Sequence, residues 1–199
     1  MKSDIILAGV GGQGILSVAT ILGVAALNQG LYIKQAEVHG MSQRGGDVQS
    51  DLRISSGKIA SDLIPSGKAD LIVSLEPMEA LRYVHRLSSD GWIVTSTTPF
   101  VNIPNYPDEG KIADELKAAV NVMAFDMDSM AKEIASARSG NMVLLGAASP
   151  FIDMPVEEIE TAITKVFASK GESIVESNIN AFRAGRNKTQ NQLIPTLNP

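Results

Sequence analysis

Residues 4–16 read DIILAGVGGQGIL, and this stretch determines the fold that the rest of the chain can adopt. The apolar run at 4–10 stops at a glycine cluster, which is typical of a strand buried on both faces of a parallel sheet. Beyond the cluster, apolar residues recur with helical spacing up to residue 27, and Gly30 can end that helix. The stretch therefore predicts a strand, a glycine turn and a helix in immediate succession.

The same alternation continues downstream. Residues 31–38 predict a second strand, which forms one right-handed βαβ crossover with the first strand and helix. The elements predicted next are strand 69–75, helix 77–87, strand 92–97, helix 110–119, strand 120–125 and helix 129–137. This order predicts an α/β fold with a mostly parallel open sheet and helices on both faces, similar to the Rossmann arrangement.

Two regions depart from that alternation. Residues 48–54 alternate apolar and polar side chains, and residues 58–60 could pair with them across a tight turn, which predicts an antiparallel hairpin excursion. From residue 141 onward the strand signal disappears, so the C-terminal region is predicted to be helical. We expect one domain over residues 1–186 and a polar C-terminal tail over residues 187–199.

Composition excludes several classes of function. The chain has 199 residues, 17 Lys and Arg, 22 Asp and Glu, and no Cys. Without thiols it cannot form disulfides, use a Cys nucleophile, or hold iron–sulfur clusters by the usual ligands. The acidic balance argues against nucleic-acid binding, which needs clustered positive charge. No segment resembles a signal peptide or a membrane span, so we expect a cytoplasmic protein with no membrane partner.

The glycine cluster is the first candidate binding site. Read from residue 9 it satisfies G-x-G-x-x-G directly after a buried strand, with Glu37 near the end of the second strand. Glycines allow a tight turn and close approach, and a helix N-terminus favours an anion. The alternative is that the glycines merely let the helix pack closely against the sheet. The candidate residues in this segment are Gly9, Gly11, Gly12, Gln13 and Gly14.

A second candidate segment, at residues 37–48, is richer in polar and small residues than a plain connection requires. It follows the second strand at the same sheet edge as the glycine turn, where open α/β sheets bind ligands. Arg44 could present its guanidinium to a phosphate or carboxylate. The alternative is a surface loop in which Arg44 makes a structural ion pair. The candidates here are Ser42, Gln43, Arg44, Gly45 and Gly46.

No arrangement of residues identifies a catalytic or metal site. No Ser, His and Asp have the spacing of a nucleophilic triad, and no His, Asp and Glu have that of metal ligands. Glu76 and Glu79 fall at the start of a predicted helix, where favourable interaction with the helix dipole explains them without catalysis. We therefore predict no catalytic residue and no metal ligand.

Three blocks together, at residues 6–14, 37–46 and 74–81, resemble the gamma-type subunits of the 2-oxoacid:ferredoxin oxidoreductases. The second block is most similar to the small (beta) subunits of the indolepyruvate ferredoxin oxidoreductases. The resemblance covers nearly the whole chain, and the ordered combination of blocks is far more specific than a glycine motif alone.

The resemblance implies a part in an enzyme that decarboxylates a 2-oxoacid on thiamine diphosphate and oxidises the intermediate through iron–sulfur clusters. The acyl group passes to coenzyme A. In this family, the thiamine and cluster sites lie on other subunits or domains, and the gamma-type domain is associated with assembly and with the coenzyme A side of the site. It implies a large thiamine and iron–sulfur subunit as partner, ferredoxin as electron acceptor, and coenzyme A at the interface.

Two alternatives remain open from the residues alone. One is a self-sufficient oxidoreductase that binds NAD or FAD, with the pyrophosphate on the glycine turn and the ribose hydroxyls on Glu37. The other is a binding module for a small anion.

Overall fold

The computed structural model describes residues 1–39, 46–101, 103–119 and 121–193. Its centre is a six-stranded sheet with the strand order β2-β3-β1-β4-β5-β6. The strands are β1 (Lys2–Val10), β2 (Tyr32–His39), β3 (Asp47–Ser55), β4 (Ala69–Ser74), β5 (Leu87–Ser96) and β6 (Val122–Phe125). Strands β1, β4, β5 and β6 run parallel to one another, whereas β3 is antiparallel to both of its neighbours, β1 and β2.

Strand β3 changes the predicted topology at two points. It lies between β1 and β2, so the first crossover passes over one strand instead of joining adjacent strands. The predicted pairing of β3 with residues 58–60 is wrong, because β1 and β2 already occupy both edges of β3 and the hairpin partner is β2. The segment after β3 is held instead by side chains of that strand. Arg53 donates to the carbonyls of Ser61 and Leu63, and Asp51 accepts from the amide of Ile64.

The described residues form seven α-helices. They are α1 (Ile15–Asn28), α2 (Pro77–Arg82), α3 (Glu109–Ala118), α4 (Met127–Ile134), α5 (Gly140–Ala148), α6 (Val156–Phe167) and α7 (Glu172–Leu193). The helix predicted at 77–87 is shorter, because a 3-10 turn at Val84–Arg86 leads directly into β5. Helix α7 runs past the predicted domain boundary at residue 186 and buries Thr189, so helical structure extends into the segment expected to be a tail.

Helices cover both faces of the sheet, which confirms the predicted α/β class. Helices α1 and α4 to α7 bury one face, in a core that includes Ile5, Leu7, Val73 and Phe182. Helix α2 packs on the opposite face against Ile6, and α3 packs against α2. The long apolar runs of β1 and β4 follow from this arrangement, because each strand is covered from both sides.

Helix α5 is buried on all sides and makes backbone contact with α7. All nine of its residues are buried, which matches its almost wholly apolar sequence. A Cβ atom at Gly146 would lie 1.8 Å from the carbonyl oxygen of Phe182, and one at Gly185 would lie 2.0 Å from that of Val143. Because these neighbours are backbone atoms, neither glycine can be replaced without moving a helix.

We expect Gly146→Ala to lower the free energy of unfolding by about 1–3 kcal/mol or more, because the added methyl group overlaps the α7 backbone. Gly57→Ala is the control, since the atom nearest to its Cβ would be the Ser55 hydroxyl oxygen at 4.0 Å. There alanine should change stability by about 0.5 kcal/mol or less. Urea unfolding of both variants measures this, and equal losses would contradict close packing of α5 on α7.

Candidate functional site

After the adjacent strands β1 and β4, the chain turns to opposite faces of the sheet. These adjacent parallel strands have Ala8 opposite Ser74, so their following loops start at the same edge of the sheet. Beyond β1 the chain enters α1 on one face, and beyond β4 it enters α2 on the other. Such a switch point opens a crevice in which open α/β sheets bind ligands.

The glycine turn after β1 is closed by hydrogen bonds between its own residues. The amide of Gln13 donates to the carbonyl of Val10 over 3.1 Å, and the Gln13 side chain accepts from the Val10 amide over 2.8 Å. Gly12 and Gly14 have φ values of 106° and 79°, a region that favours glycine. A Cβ atom at Gly9 would lie 2.9 Å from the side-chain oxygen of Gln13. The Gln13 side chain therefore acts within the turn and stabilises it.

Two helix N-termini meet at this turn. Helix α1 begins directly after Gly14, with no side-chain cap and no carboxylate in its first turn. Helix α5 likewise lacks a side-chain cap and an acidic residue in its first turn. Asn141, at the start of α5, donates to the carbonyl of Gly14 over 3.2 Å and so joins the two. Both helix dipoles place partial positive charge here, which suits an anion.

The second predicted segment reaches the same place. The amide of Gly11 donates to the carbonyl of Gly46 over 2.8 Å, which confirms that the segment ends at the sheet edge of the glycine turn. Ser42, Gln43, Arg44 and Gly45 lie outside the described residues. The assignment of the five candidates in the glycine turn and the five candidates at residues 42–46 to a binding site stays a prediction.

Glu37 lies away from the turn. The insertion of β3 places β2 two strand spacings from β1, about 10 Å. Through the register of the three strands, Glu37 is level with Leu7 and not with the carboxyl end of β1. Its side chain is exposed and accepts a hydrogen bond from Gln35.

On the β4 side of the crevice, Glu76 is fully buried and holds three segments together. Its carboxylate accepts from the Glu79 amide over 2.7 Å, which confirms the predicted helix-capping role. It also accepts from the amide of Phe100 over 3.4 Å and from the hydroxyl of Tyr106. Burial, together with the hydrogen bond to this carboxylate, raises the pKa of Tyr106 above its usual value. The loop after β5 is thereby attached to α2.

Two carboxyl groups on α4 lie in different environments. Asp126 caps the helix and accepts from the amide of Ser129 over 2.9 Å, which lowers its pKa, with the Ser129 and Thr98 hydroxyls adding to the effect. Asp128 is half-buried, and this burial together with the negative charge of Asp126 raises its pKa. A Cβ atom at Gly140 would lie 3.2 Å from a carboxyl oxygen of Asp128, so this group faces the start of α5.

The described ranges contain neither a cluster of metal ligands nor a membrane-spanning helix. No group of three or more His, Asp and Glu side chains there is arranged to hold a metal ion. No helix in this part of the chain combines the length and apolar character that crossing a bilayer requires.

Comparison with known proteins identifies the family. Residues 4–188 match the model of the pyruvate ferredoxin/flavodoxin oxidoreductase family. The chain belongs to this family. The indolepyruvate oxidoreductase subunit IorB of Thermococcus kodakarensis is 37% identical over 190 residues, covering 92% of this chain and 93% of that protein. The resemblance seen in the three sequence blocks is thus confirmed.

Solved structures of the family share the fold. The gamma subunit of a keto/oxoacid ferredoxin oxidoreductase from Geobacter sulfurreducens matches with a TM-score of 0.71 and 24% identity, covering 95% of this chain and 99% of that chain. The 2-oxoglutarate:ferredoxin oxidoreductase of Magnetococcus marinus matches with a TM-score of 0.75 and 24% identity. That match covers 96% of this chain but 31% of the other, so the same fold also occurs as one part of a longer polypeptide.

The sequence alone did not identify Asn141 and Tyr106, two residues at the carboxyl edge of the sheet. Asn141 could have been found as a polar residue at the start of an otherwise apolar helix, although nothing in its position indicates Gly14 as its partner. Tyr106 lies in a proline-rich loop, and its contact with Glu76 depends on how that loop folds back across the edge of the sheet.

Asp126 and Asp128 should have opposite effects on stability. Asp126 stabilises the fold above its unfolded pKa near 3.8, and this contribution is lost as the pH falls through its lower folded pKa. Asp128 ionises less readily in the folded chain, so its charge costs stability above the folded pKa. We expect Asp126→Ala to cost about 1 kcal/mol near neutral pH, whereas Asp128→Asn should stabilise.

Urea unfolding across the acidic range measures both effects. The gain from Asp128→Asn should close as the pH falls below 3.8, where the wild-type carboxyl is protonated in both states. A loss of stability in that variant near neutral pH would instead mean that amides of α5 stabilise the charge.

Tyr106→Phe should lower the free energy of unfolding by about 1–3 kcal/mol, because the buried Glu76 carboxylate loses a donor. Tyr32→Phe, at an exposed tyrosine on β2, serves as the control and should change stability by about 0.5 kcal/mol or less. Thermal or urea unfolding distinguishes them, and equal effects would show that the Tyr106 hydroxyl contributes nothing.

Proposed function

We propose that this chain is the small, non-redox subunit of a 2-oxoacid:ferredoxin oxidoreductase whose substrate is indolepyruvate or another aryl pyruvate. The observation that carries the proposal is the similarity to IorB subunits at 33–37% identity over more than nine-tenths of this chain. Relatives named as 2-oxoglutarate synthase subunits are 29% identical. That difference favours the aryl-pyruvate assignment.

In the proposed complex the redox chemistry lies on a larger partner subunit. Thiamine diphosphate supplies the decarboxylation there, and iron–sulfur clusters carry electrons to ferredoxin while the acyl group passes to coenzyme A. The absence of cysteine in this chain supports the division, because it leaves no thiolate to ligate a cluster. We assign the assembled enzyme to the cytoplasm and regard the isolated chain as inactive.

The part we assign to this chain is to receive an anionic group of coenzyme A or of the substrate at the glycine turn. The uncapped N-termini of α1 and α5 would offer backbone amides, and the Asn141 contact with Gly14 orients them together. Arg44, in the segment that ends beside Gly11, would supply the full positive charge. A turn held by its own hydrogen bonds before binding loses little entropy when an anion arrives.

The alternative of a self-sufficient dinucleotide enzyme receives no support from the geometry. A ribose bound over the glycine turn would need an acidic residue at the carboxyl end of the neighbouring strand. Here the neighbour is β3, and Glu37 lies one strand further out and level with the body of β1. Titration of the isolated chain with NAD and FAD should therefore show no saturable binding. A free-standing module for a small anion remains the alternative if the chain neither binds a dinucleotide nor joins a larger subunit.

The test is reconstitution with the larger subunit. Co-expression should give a stable hetero-oligomer that reduces ferredoxin or a dye in the presence of an aryl pyruvate and coenzyme A, while the isolated chain shows no activity. A chain that stays alone and has no affinity for the larger subunit would refute the proposal.

Arg44→Ala should reduce the activity of the reconstituted complex at least about tenfold, which corresponds to one lost charge-assisted hydrogen bond. The free energy of unfolding of the Arg44→Ala chain should change by about 0.5 kcal/mol or less. Lys68→Ala removes an exposed charge just before β4, at the opposite edge of the sheet, and should leave activity unchanged. A large loss of stability with unchanged activity would show that Arg44 forms a structural ion pair.

A further inference from the structure

The loop after β5 carries an exposed apolar surface that the proposed anion site does not use. Phe100 is 45% exposed, Val101 is 63% exposed and Ile103 is 36% exposed. Residues 99–107 contain no charged side chain. Three exposed apolar side chains within four consecutive positions are a candidate interaction site, because extended exposed apolar surface marks such sites in soluble proteins. We call Phe100, Val101 and Ile103 the apolar patch.

A cleft lies between α3, β6 and the start of the loop that carries the patch. It has a volume of about 560 Å³. Its lining is mostly apolar and includes Pro99, Ile112, Leu116 and Val122. Because Pro99 directly precedes Phe100 in the chain, the patch begins one residue from the cleft.

The loop is held in place at both ends. At its start, Thr98 donates to Asp126 over 2.9 Å, and the amide of Phe100 donates to Glu76 over 3.4 Å. Near its end, the hydroxyl of Tyr106 donates to the same buried Glu76 carboxylate. Exposed apolar side chains on a preorganised loop lose little entropy when they are covered, which favours binding.

The charges beside the patch determine what can cover it. Residues 108–119 carry four exposed acidic side chains and two exposed lysines, so this segment, the rim, has a net negative charge. One charged residue of each sign, Glu109 and Lys117, lines the cleft itself. A second copy of the chain, docked symmetrically, would bring two acidic rims together, and an anionic membrane would be repelled. A protein surface with an apolar centre and basic flanks complements both features.

We propose that the apolar patch and the cleft form the docking surface for the larger subunit, which would insert apolar side chains flanked by Lys or Arg. This rests on the proposed function, since it assumes such a partner.

The experiment titrates the purified larger subunit onto immobilised wild-type chain and variants. The double variant F100D/V101D should raise the dissociation constant at least about thirty-fold, the effect expected of interface hot spots. L27D/L63D is the matched control, because Leu27 is 63% exposed and Leu63 is 60% exposed at positions away from the patch. The control should stay within about threefold of wild type.

Two further variants keep the test independent of folding and of charge alone. The milder F100S/V101S should weaken binding about tenfold with an unchanged thermal midpoint. E109Q, which removes the charge of a side chain that lines the cleft, should weaken binding at low salt and have little effect at about 0.5 M salt, where that charge is screened.

The outcomes separate the two proposals. Wild-type chain that fails to bind the larger subunit refutes the proposed function. Wild-type binding that F100D/V101D leaves intact, or that L27D/L63D weakens equally, overturns the docking surface and leaves the function standing. Self-association of the wild-type chain that F100D/V101D abolishes would assign the patch to a second copy and overturn the proposed occupant.

Discussion

The hydrogen bond from Asn141 to the carbonyl of Gly14 joins the glycine turn at the start of α1 to the buried helix α5, and the candidate site depends on it. The two residues are so close that a Cβ atom at Gly14 would lie 2.7 Å from the side-chain amide nitrogen of Asn141. Gly14 also needs its positive φ so that α1 can start directly after the turn. One residue therefore meets a steric, a conformational and a hydrogen-bonding requirement, and both helix N-termini are oriented as a result.

The carboxyl edge of the sheet divides into two chemically different halves. Around β1 it presents backbone amides, glycines and two helix N-termini whose first turns carry no acidic residue, with the Asp128 carboxyl facing the start of α5. Around β5 and β6 it presents apolar side chains beside an acidic helix, with the Glu76 carboxylate buried behind them. Buried Glu76 marks the boundary, since its own segment follows β4 while its partner Tyr106 belongs to the loop after β5. An anion and an apolar protein segment could thus be received side by side without competing.

The apolar patterns of contiguous residues predicted most of the fold. The error arose where the pairing partner of a strand lies far from it in the chain. The apolar runs of β1 and β4 and the helical periods of α1 and α6 are properties of contiguous residues, and the structure confirms them. The strand at 48–54 was also identified, but nothing local to it indicates whether its neighbour is residues 58–60 or β2. The structure pairs β3 with β1 and β2, and the pairing with β1 joins residues as far apart in the chain as Lys2 and Ser55, so local sequence does not determine the partner.

The same reasoning applies to the candidate site. The glycine turn and the end of the second segment could be predicted to share an edge, because parallel strands deliver their following loops to one side of a sheet. The contacts of Asn141 and Tyr106 could not, since each joins segments far apart in the chain. Arg44 remains an assignment from sequence.

The antiparallel insertion of β3 also bears on how such a domain can diversify. Residues 40–45 connect two strands whose mutual register is set along their length and again by the pairing of β3 with β1. Insertions or deletions between those strands would leave the sheet unchanged, and doubling the loop would cost only about 0.6 kcal/mol in closure entropy. A segment that ends beside the glycine turn can therefore change in length and chemistry while the scaffold stays constant, which lets selectivity evolve separately from stability.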